Sequence, residues 1–237
     1  MKNKEKKFKQ KRKWWYRALK SLMKVRYKKP EFIYLGEKPK ESSIILSNHE
    51  GTDAPMSLEI YADFPVRMWG THEMNSGLVK LYKYQTKVYY HQKKHWNLFA
   101  ARMFCLIASP PTNLFYKGLN LISTYHDARF KTTLTQSSES ILDKKENIVI
   151  FPEKSPNGYV PELEGFYAGF LALAKVLEKK GLDVSIYVAY YKKQEKQYIF
   201  GSTYKYSELK IKFKEKDEII NFLLNECNRL GKLQFKK

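Results

Sequence analysis

The stretch SIILSNHEGTDAPMSLEIY, residues 43–61, joins an apolar strand pattern to a helical pattern through a polar turn. Ser43–Ser47 is rich in isoleucine and leucine, as buried strands are, and Ala54–Tyr61 has the apolar spacing of a helix. Farther along, NIVIF at 147–151 is a second apolar strand pattern, and it runs directly into a Pro-Glu pair. Strands that alternate with helices in this way predict an α/β fold with a largely parallel or mixed sheet.

The same alternation extends outward from these two strands, from residue 31 to residue 230. The predicted strands are Ser43–Ser47, Pro65–Trp69, Leu119–Ser123, Asn147–Phe151, Val184–Tyr191 and Gln197–Gly201. The predicted helices are Ala54–Tyr61, Ser76–Tyr84, Trp96–Ile107, Arg129–Lys144, Phe166–Lys179 and Lys216–Leu230. No internal repeat and no long Gly-rich or Ser-rich linker divides the sequence, so we expect a single domain whose sheet is flanked by helices.

The composition of the 237-residue chain excludes several classes of protein. Apolar residues make up 43% of the sequence, which is too many for a disordered chain. The two cysteines, Cys105 and Cys227, lie far apart, so the sequence encodes neither a disulfide framework nor a zinc knuckle. The longest apolar run, Leu98–Ser109, is shorter than the about 20 residues of a membrane span, and we find no signal-peptide pattern. We therefore expect a cytoplasmic protein.

Positive charge is concentrated at the two ends of the sequence. The formal net charge is +20, and residues 1–29 contribute 14 lysines and arginines against one glutamate. One helical face of this segment is apolar and contains Trp15, Ala18, Leu19, Leu22 and Met23. Such a helix suits the headgroup layer of an anionic membrane, and the pattern also suits nucleic-acid phosphates or docking on the rest of the protein. We interpret residues 1–29 as a basic amphipathic segment that associates with membranes.

Polar residues follow both central strands, at the edge where open α/β sheets bind ligands. Asn48 and His49 follow the first strand and Glu153 follows the second, so His49 and Glu153 are candidates for one site. In a helix Asp53 would share a face with His49, and its carboxylate could hold one imidazole nitrogen while the other takes a proton. The sequence has no G-x-S-x-G motif and no cysteine beside a histidine, which favours direct attack by an acceptor hydroxyl. For this pair alone, a histidine that caps a helix is the simpler alternative.

The stretch ILSNHEGTDAP, residues 45–55, resembles the N-H-x-x-x-x-D block of the lysophospholipid acyltransferase family, which acylates lysophosphatidic acid and related glycerolipids. YKGLNLIST at 116–124 is similar to the second block of that family, and IVIFPEKSPNG at 148–158 is similar to its F-P-E-G block. VSIYVAY at 184–190 is similar to the last core strand. By this resemblance, residues 30–237 form an acyltransferase-like domain.

The resemblance implies acyl transfer from an acyl-carrier-protein or coenzyme A thioester to a lipid hydroxyl, with no metal ion and no other cofactor. His49 would be the general base and Asp53 its orienter. Three residues separate His49 from Asp53 where the family has four, so Glu50 or Glu153 could take the place of Asp53. The residues that the resemblance assigns to substrate binding are Asn48, Gly118, Phe151, Pro152, Glu153 and Lys154.

The second and third blocks also depart from the family's pattern. Lys154 stands where the family has glycine, and Thr124 and Pro156 occupy positions where it has arginines that hold the acceptor's phosphate. Neither threonine nor proline can supply a positive charge. We therefore expect either that Lys154 holds a phosphate or, slightly favoured, that the acceptor has no terminal phosphate.

Two functions from other classes compete with acyl transfer. The 44 lysines and arginines, with 18 tyrosines and 14 phenylalanines, could bind a nucleic acid, but their charge lies mainly at the ends of a nearly neutral body. The shortened first block would also suit a lipid-binding protein that has lost catalysis. We expect an acyltransferase of phospholipid biosynthesis that binds no nucleic acid and lies on the inner face of the cell membrane.

Overall fold

A seven-stranded sheet forms the centre of the described part of the chain, with helices packed on both of its faces. The computed structural model describes residues 13–154 and 158–235. The strands are β1 (Glu31–Tyr34), β2 (Ser43–Ser47), β3 (Val66–Thr71), β4 (Ile122–Thr124), β5 (Asn147–Ile150), β6 (Ser185–Lys192) and β7 (Gln197–Lys205). Their order across the sheet is β1-β7-β6-β2-β5-β3-β4.

The helices occupy most of the chain between the strands. The α-helices are α1 (Trp14–Arg26), α2 (Asp53–Tyr61), α3 (His72–Asn75), α4 (Leu78–Tyr84), α5 (Leu98–Leu119), α6 (Phe130–Leu142), α7 (Gly169–Lys179), α8 (Tyr206–Lys212) and α9 (Lys216–Lys232). Between α4 and α5 the chain forms a π-helical segment, Gln85–Lys93. The predicted α/β class, with a largely parallel or mixed sheet flanked by helices and a preceding N-terminal helix, is confirmed.

The direction of the central strands places their polar ends together. The neighbouring strands β6, β2, β5, β3 and β4 run parallel, whereas β7 is antiparallel to β6 and β1 pairs with β7 at the edge. In the centre, Leu46 of β2 is the partner of Ile150 of β5 and of Val188 of β6. Because β2 and β5 are parallel neighbours, the residues that follow them emerge at the same edge of the sheet.

Alternate residues of each central strand face different helical layers. Ile44 and Leu46 of β2 belong to a core shared with α6, α7, α8 and α9, whereas Ile45 belongs to a core shared with α1, α2 and α5. All five residues of β2 are buried. A shift of one residue would exchange the two sets of side chains, so the burial on both faces holds the register of β2, and with it the position of His49.

Helix α1 docks on the body through Tyr16, which is fully buried. The Tyr16 hydroxyl donates a hydrogen bond to Glu59 of α2 at 3.2 Å. Its ring lies against Gly118 of α5, where an added Cβ would come within 2.0 Å of the ring. Trp14 and Leu22, in contrast, are exposed. The helix predicted within residues 1–29 therefore docks on the body through one side and presents apolar side chains on another, and residues 1–12 lie outside the described residues.

Two predicted helices have one end that differs from the structure by three or more residues. Helix α5 continues past the predicted end at Ile107 and through Pro110 and Pro111 to Leu119. A proline removes one helical hydrogen bond, but Phe115 and Leu119 are buried, and their packing against the body holds the second half of the helix. Helix α7 begins after its predicted start because Phe166 forms a β-bridge with Glu153 instead of a helical turn.

The elements that sequence patterns missed are short or of a rare type. Strand β1 has four residues and α3 has four, which is too few for a period to show. The π-helical segment does not follow the 3.6-residue period on which the helix predictions rest. Among the described helices, none combines the length and the apolar character that crossing a bilayer requires.

Candidate active site

His49 and Glu153 meet at the carboxyl edge of the sheet, where the strand pattern placed them. The backbone N–H of His49 donates a hydrogen bond of 3.0 Å to the Glu153 Oε2 atom. Glu153 is buried and pairs through its backbone with Phe166. The loop after β5 is thus tied to the segment before α7 and supplies a carboxylate that fixes the backbone of His49.

Asn48 holds the end of β2 against β6. Its Nδ2 atom donates to the Tyr191 carbonyl at 3.1 Å, and its Oδ1 atom accepts from the Tyr191 N–H at 2.7 Å. The side chain is buried, so it continues the β2–β6 pairing one residue beyond the strand. We predicted Asn48 as a substrate-binding residue; the structure gives it contacts that position the neighbouring His49.

The His49 ring packs against two aromatic rings. Its centroid lies 5.0 Å from that of Phe151 and 5.1 Å from that of Tyr159, and the Tyr159 ring is stacked on it. The Nδ1 atom is buried and has no hydrogen-bond partner within the described residues. Lys93, at the end of the π-helical segment, has its Nζ 5.5 Å from the centroid of the Tyr159 ring.

Burial lowers the pKa of His49 from 6.5 to about 4, and the nearby positive charge of Lys93 acts in the same direction. The backbone of Gly51 raises the pKa of His49 and so opposes this shift. An imidazole with such a pKa is neutral at pH 7, because desolvation penalises its charged form. His49 is therefore in the protonation state in which it can accept a proton.

No hydrogen bond joins Asp53 to His49. The chain turns sharply after His49, with φ angles of 41° at Glu50 and 65° at Gly51, and α2 begins only at Asp53. The helical spacing expected for His49 and Asp53 is therefore absent. The Asp53 carboxylate instead lies 2.9 Å from Lys193 Nζ and 4.0 Å from Arg26 Nη1. The role of Asp53 as the orienter of His49 stays a prediction that has no contact to support it.

A basic cavity of about 280 Å³ lies beside Asp53. It is formed where the end of α1 meets the β6–β7 turn, and its walls contain Arg26, Tyr27, Lys28, Asp53, Ser57, Tyr191, Lys193 and Lys196. Four cationic side chains surround one carboxylate there, and two of them pair with it. The sequence alone gives no sign of this cavity, because its cations come from segments that are about 165 residues apart.

The remaining residues of the third block lie around His49 in different ways. Phe151 touches the imidazole, and the Pro152 carbonyl accepts a hydrogen bond from the Tyr167 N–H at 2.7 Å. Lys154 is exposed, with its Nζ 5.6 Å from the Tyr167 ring centroid. Pro156 lies outside the described residues. Of the predicted substrate-binding residues in this block, Phe151 and Glu153 contact His49, and Pro152 and Lys154 have other partners.

Gly118, from the second block, packs against α1. Its open side is filled by the Tyr16 ring, and Gly118 itself is buried. Thr124, at the end of this block, donates its hydroxyl hydrogen bond to the Gly70 carbonyl at 3.1 Å. The structure therefore gives Gly118 a packing role, and its predicted role in substrate binding has no contact to support it.

Three residues near the site were not predicted from the sequence, namely Tyr159, Lys93 and Lys193. Tyr159 follows the third block by only a few positions, but no periodic pattern there predicts that its ring covers His49. Within residues 13–154 and 158–235 no group of three or more metal-ligating side chains occurs.

Neither the models of known protein families nor the curated proteins give a match to this chain. The resemblance to the lysophospholipid acyltransferases thus depends on the motif residues themselves. What the structure adds is the juxtaposition of two of those motifs at one edge of the sheet.

Proposed function

We propose that this protein transfers an acyl group from a thioester to the hydroxyl of a lipid acceptor, with His49 as general base. The observation that carries the proposal is the juxtaposition of His49, at the end of β2, with Glu153 and Phe151, at the end of β5. General bases must already be deprotonated when the substrate binds, and positioned ones contribute about 10²- to 10⁴-fold to a rate.

The chemistry needs one proton to move twice. His49 takes the proton of the acceptor hydroxyl while the hydroxyl oxygen attacks the thioester carbonyl carbon. The carbon–sulfur bond of the resulting tetrahedral adduct then breaks, and the imidazolium gives the proton to the departing thiolate. The products are an ester and a free thiol, so no covalent acyl-enzyme is required.

The surroundings of His49 support this role by holding the base in place. Glu153 fixes its backbone, and Phe151 and Tyr159 pack against its ring. A base that keeps one orientation loses little entropy when the reactants meet, which is the main advantage of preorganised sites.

We propose an acyl-carrier-protein or coenzyme A thioester as donor and a lipid at the inner face of the cell membrane as acceptor. The proposal assigns the acceptor no strong phosphate preference. Lys154 is exposed, and both Arg26 and Lys193 lie beside the Asp53 carboxylate. None of these cations forms the paired arginine contacts that hold a phosphate most firmly.

The test compares His49→Ala with His126→Ala, a substitution of an exposed histidine outside the site. Thiol release from acyl-coenzyme A and from acyl-carrier-protein is followed with a panel of lysolipid acceptors. We expect the His49 variant to lose at least about 100-fold in turnover while the His126 variant keeps it. A folded His49→Ala protein with most of its thioester turnover would refute the proposed base.

One observation favours a second candidate function, a lipid-binding protein without catalysis. The buried Nδ1 atom of His49 has no partner in the described part of the chain, and Asp53 pairs with Lys193 instead. A base without an orienter is a weaker catalyst. If this second function is right, the intact protein will bind lysolipid but release no thiol above the rate of His49→Ala.

A further inference from the structure

Helix α5 carries a stripe of exposed large apolar side chains. We call this stripe the α5 face, and it consists of Phe99, Met103, Phe104, Leu106, Ile107 and Leu114. Ile107 is 81% exposed and Phe99 is 71% exposed, whereas Ala101 and Cys105 on the other side of the helix are fully buried. Isolated apolar side chains are common on protein surfaces, but contiguous apolar patches mark sites of interaction.

The apolar surface continues from α5 onto α1. A groove of about 340 Å³ between the two helices is lined by Leu114 of the α5 face and by Trp14, Trp15, Ala18, Leu19 and Leu22 of α1. Trp14 is 75% exposed on the outer side of this groove. Because Leu114 belongs to both surfaces, the α5 face and the outer side of α1 form one apolar area.

The segment that contains α4, the π-helical segment and α5 is basic. Residues 74–126 contain no aspartate or glutamate but seven basic residues, namely Lys80, Lys83, Lys87, Lys93, Lys94, Arg102 and Lys117. All of them except the half-buried Lys93 are exposed. The outer side of α1 adds exposed Lys13, Arg17 and Lys24. An apolar area with this basic rim is complementary to a surface that is apolar inside and anionic outside.

We propose that the α5 face and the outer side of α1 together lie on an anionic membrane, with both helices parallel to its plane. The apolar side chains would enter the interfacial layer and the basic ones would meet anionic headgroups. A second copy of this chain is a poor occupant, because it would bring the same positive charges against each other. The proposal extends the membrane contact from the N-terminal segment, where the sequence pattern indicated it, to a helix about 100 residues later.

This orientation brings the membrane to the rim of the candidate active site. Lys93 belongs to the basic rim, and its Nζ lies 5.5 Å from the Tyr159 ring that stacks on His49. The inference does not depend on the acyl-transfer chemistry, since it is derived from exposure and charge alone.

The experiment measures binding of the full chain to sucrose-loaded vesicles of equal parts phosphatidylglycerol and phosphatidylcholine. The test variant is Phe99→Gln/Ile107→Gln. The matched control is Ile211→Gln, because Ile211 is also a helical isoleucine, is 87% exposed and lies between two lysines. We expect the double variant to bind at least about tenfold more weakly than the unchanged protein, and the control to stay within about twofold. Binding to vesicles of phosphatidylcholine alone should also be at least about tenfold weaker.

Equal binding by the double variant and the unchanged protein would overturn the proposal, and so would equal binding to both kinds of vesicle. Sedimentation of the protein alone adds a third test. Dimers that disappear in the double variant, without a change in vesicle binding, would assign the α5 face to self-association and also overturn it. Thioester turnover with a dispersed acceptor should be unchanged in the double variant, which separates failure of this proposal from failure of the proposed function.

Discussion

Acid should destabilise this protein in part through His49, because the folded state keeps that imidazole neutral. Burial lowers the pKa of His49 to about 4, whereas in the unfolded chain it returns to about 6.5. Between these values the unfolded state binds more protons, so the free energy of unfolding falls as the pH falls. Linkage gives a loss of about 2 kcal/mol between pH 7 and pH 4.5, out of about 3 kcal/mol once both states are protonated.

The assay is urea unfolding at pH 7 and at pH 4.5, with His49→Phe as the variant. Phenylalanine keeps an aromatic ring against Phe151 and Tyr159, cannot titrate, and removes a buried nitrogen that has no partner in the described residues. The acid-induced loss of stability should therefore be smaller in the variant by about 2 kcal/mol. All other titrating groups contribute equally to both proteins and cancel. The control is His126→Phe, the same substitution at an exposed histidine outside the site.

Two results would refute the reasoning. One is the same loss of stability between pH 7 and pH 4.5 in the unchanged protein and in His49→Phe. The other comes from proton NMR of the five histidines, in which the His49 signal is identified by its absence from the His49→Phe spectrum. A His49 titration midpoint above pH 6 would show that burial does not disfavour the charged ring.

Three other predictions concern packing, positioning and the acceptor. Gly118→Ala should lower the free energy of unfolding by about 1–3 kcal/mol, as measured by urea unfolding, because its Cβ would meet the Tyr16 ring at 2.0 Å. In a Tyr16→Ala background, Gly118→Ala should lower the free energy of unfolding by less. Glu153→Ala should reduce thioester turnover by about tenfold or more, because the His49 N–H loses its acceptor. Glu153→Gln keeps an acceptor oxygen and should retain most activity, so equal losses of turnover in the two variants would contradict a positioning role. Turnover with lysophosphatidic acid should not exceed turnover with a matched acceptor lacking the phosphate by more than about tenfold, or about 1.4 kcal/mol. A larger preference that disappears in Lys154→Ala would instead show that Lys154 binds the phosphate.

The fold could be predicted because its central strands are buried on both faces. Ser43–Ser47 and Asn147–Ile150 are short apolar runs bounded by polar residues, and they form β2 and β5 close to where the sequence indicated them. The same patterns put His49 and Glu153 at one edge, since the strands are parallel neighbours. Each of these patterns lies within a single short run of residues, so the strands can be predicted from the sequence alone.

The contacts of the site depend on segments that are distant in sequence, and these could not be predicted. Asp53 pairs with Lys193, a residue of the β6–β7 turn, and nothing in the sequence around Asp53 points to that turn. The same holds for the Tyr16 ring that covers Gly118. The helical spacing of His49 and Asp53 failed for a local reason, because left-handed residues at Glu50 and Gly51 delay the start of α2.

The packing of Tyr16 against α5 has a consequence for the synthesis of the protein. Tyr16 rests on Gly118 and Phe115, residues that the ribosome adds about a hundred positions later. At synthesis rates of about 5–20 residues per second, α1 is therefore without its docking partner for about 5–20 s. During that interval the whole circumference of the nascent helix is accessible, including the side that later closes over Glu59. If the proposed membrane contact is right, such a basic amphipathic helix would meet an anionic bilayer before the sheet has assembled, and the growing chain would reach the membrane while it is still on the ribosome.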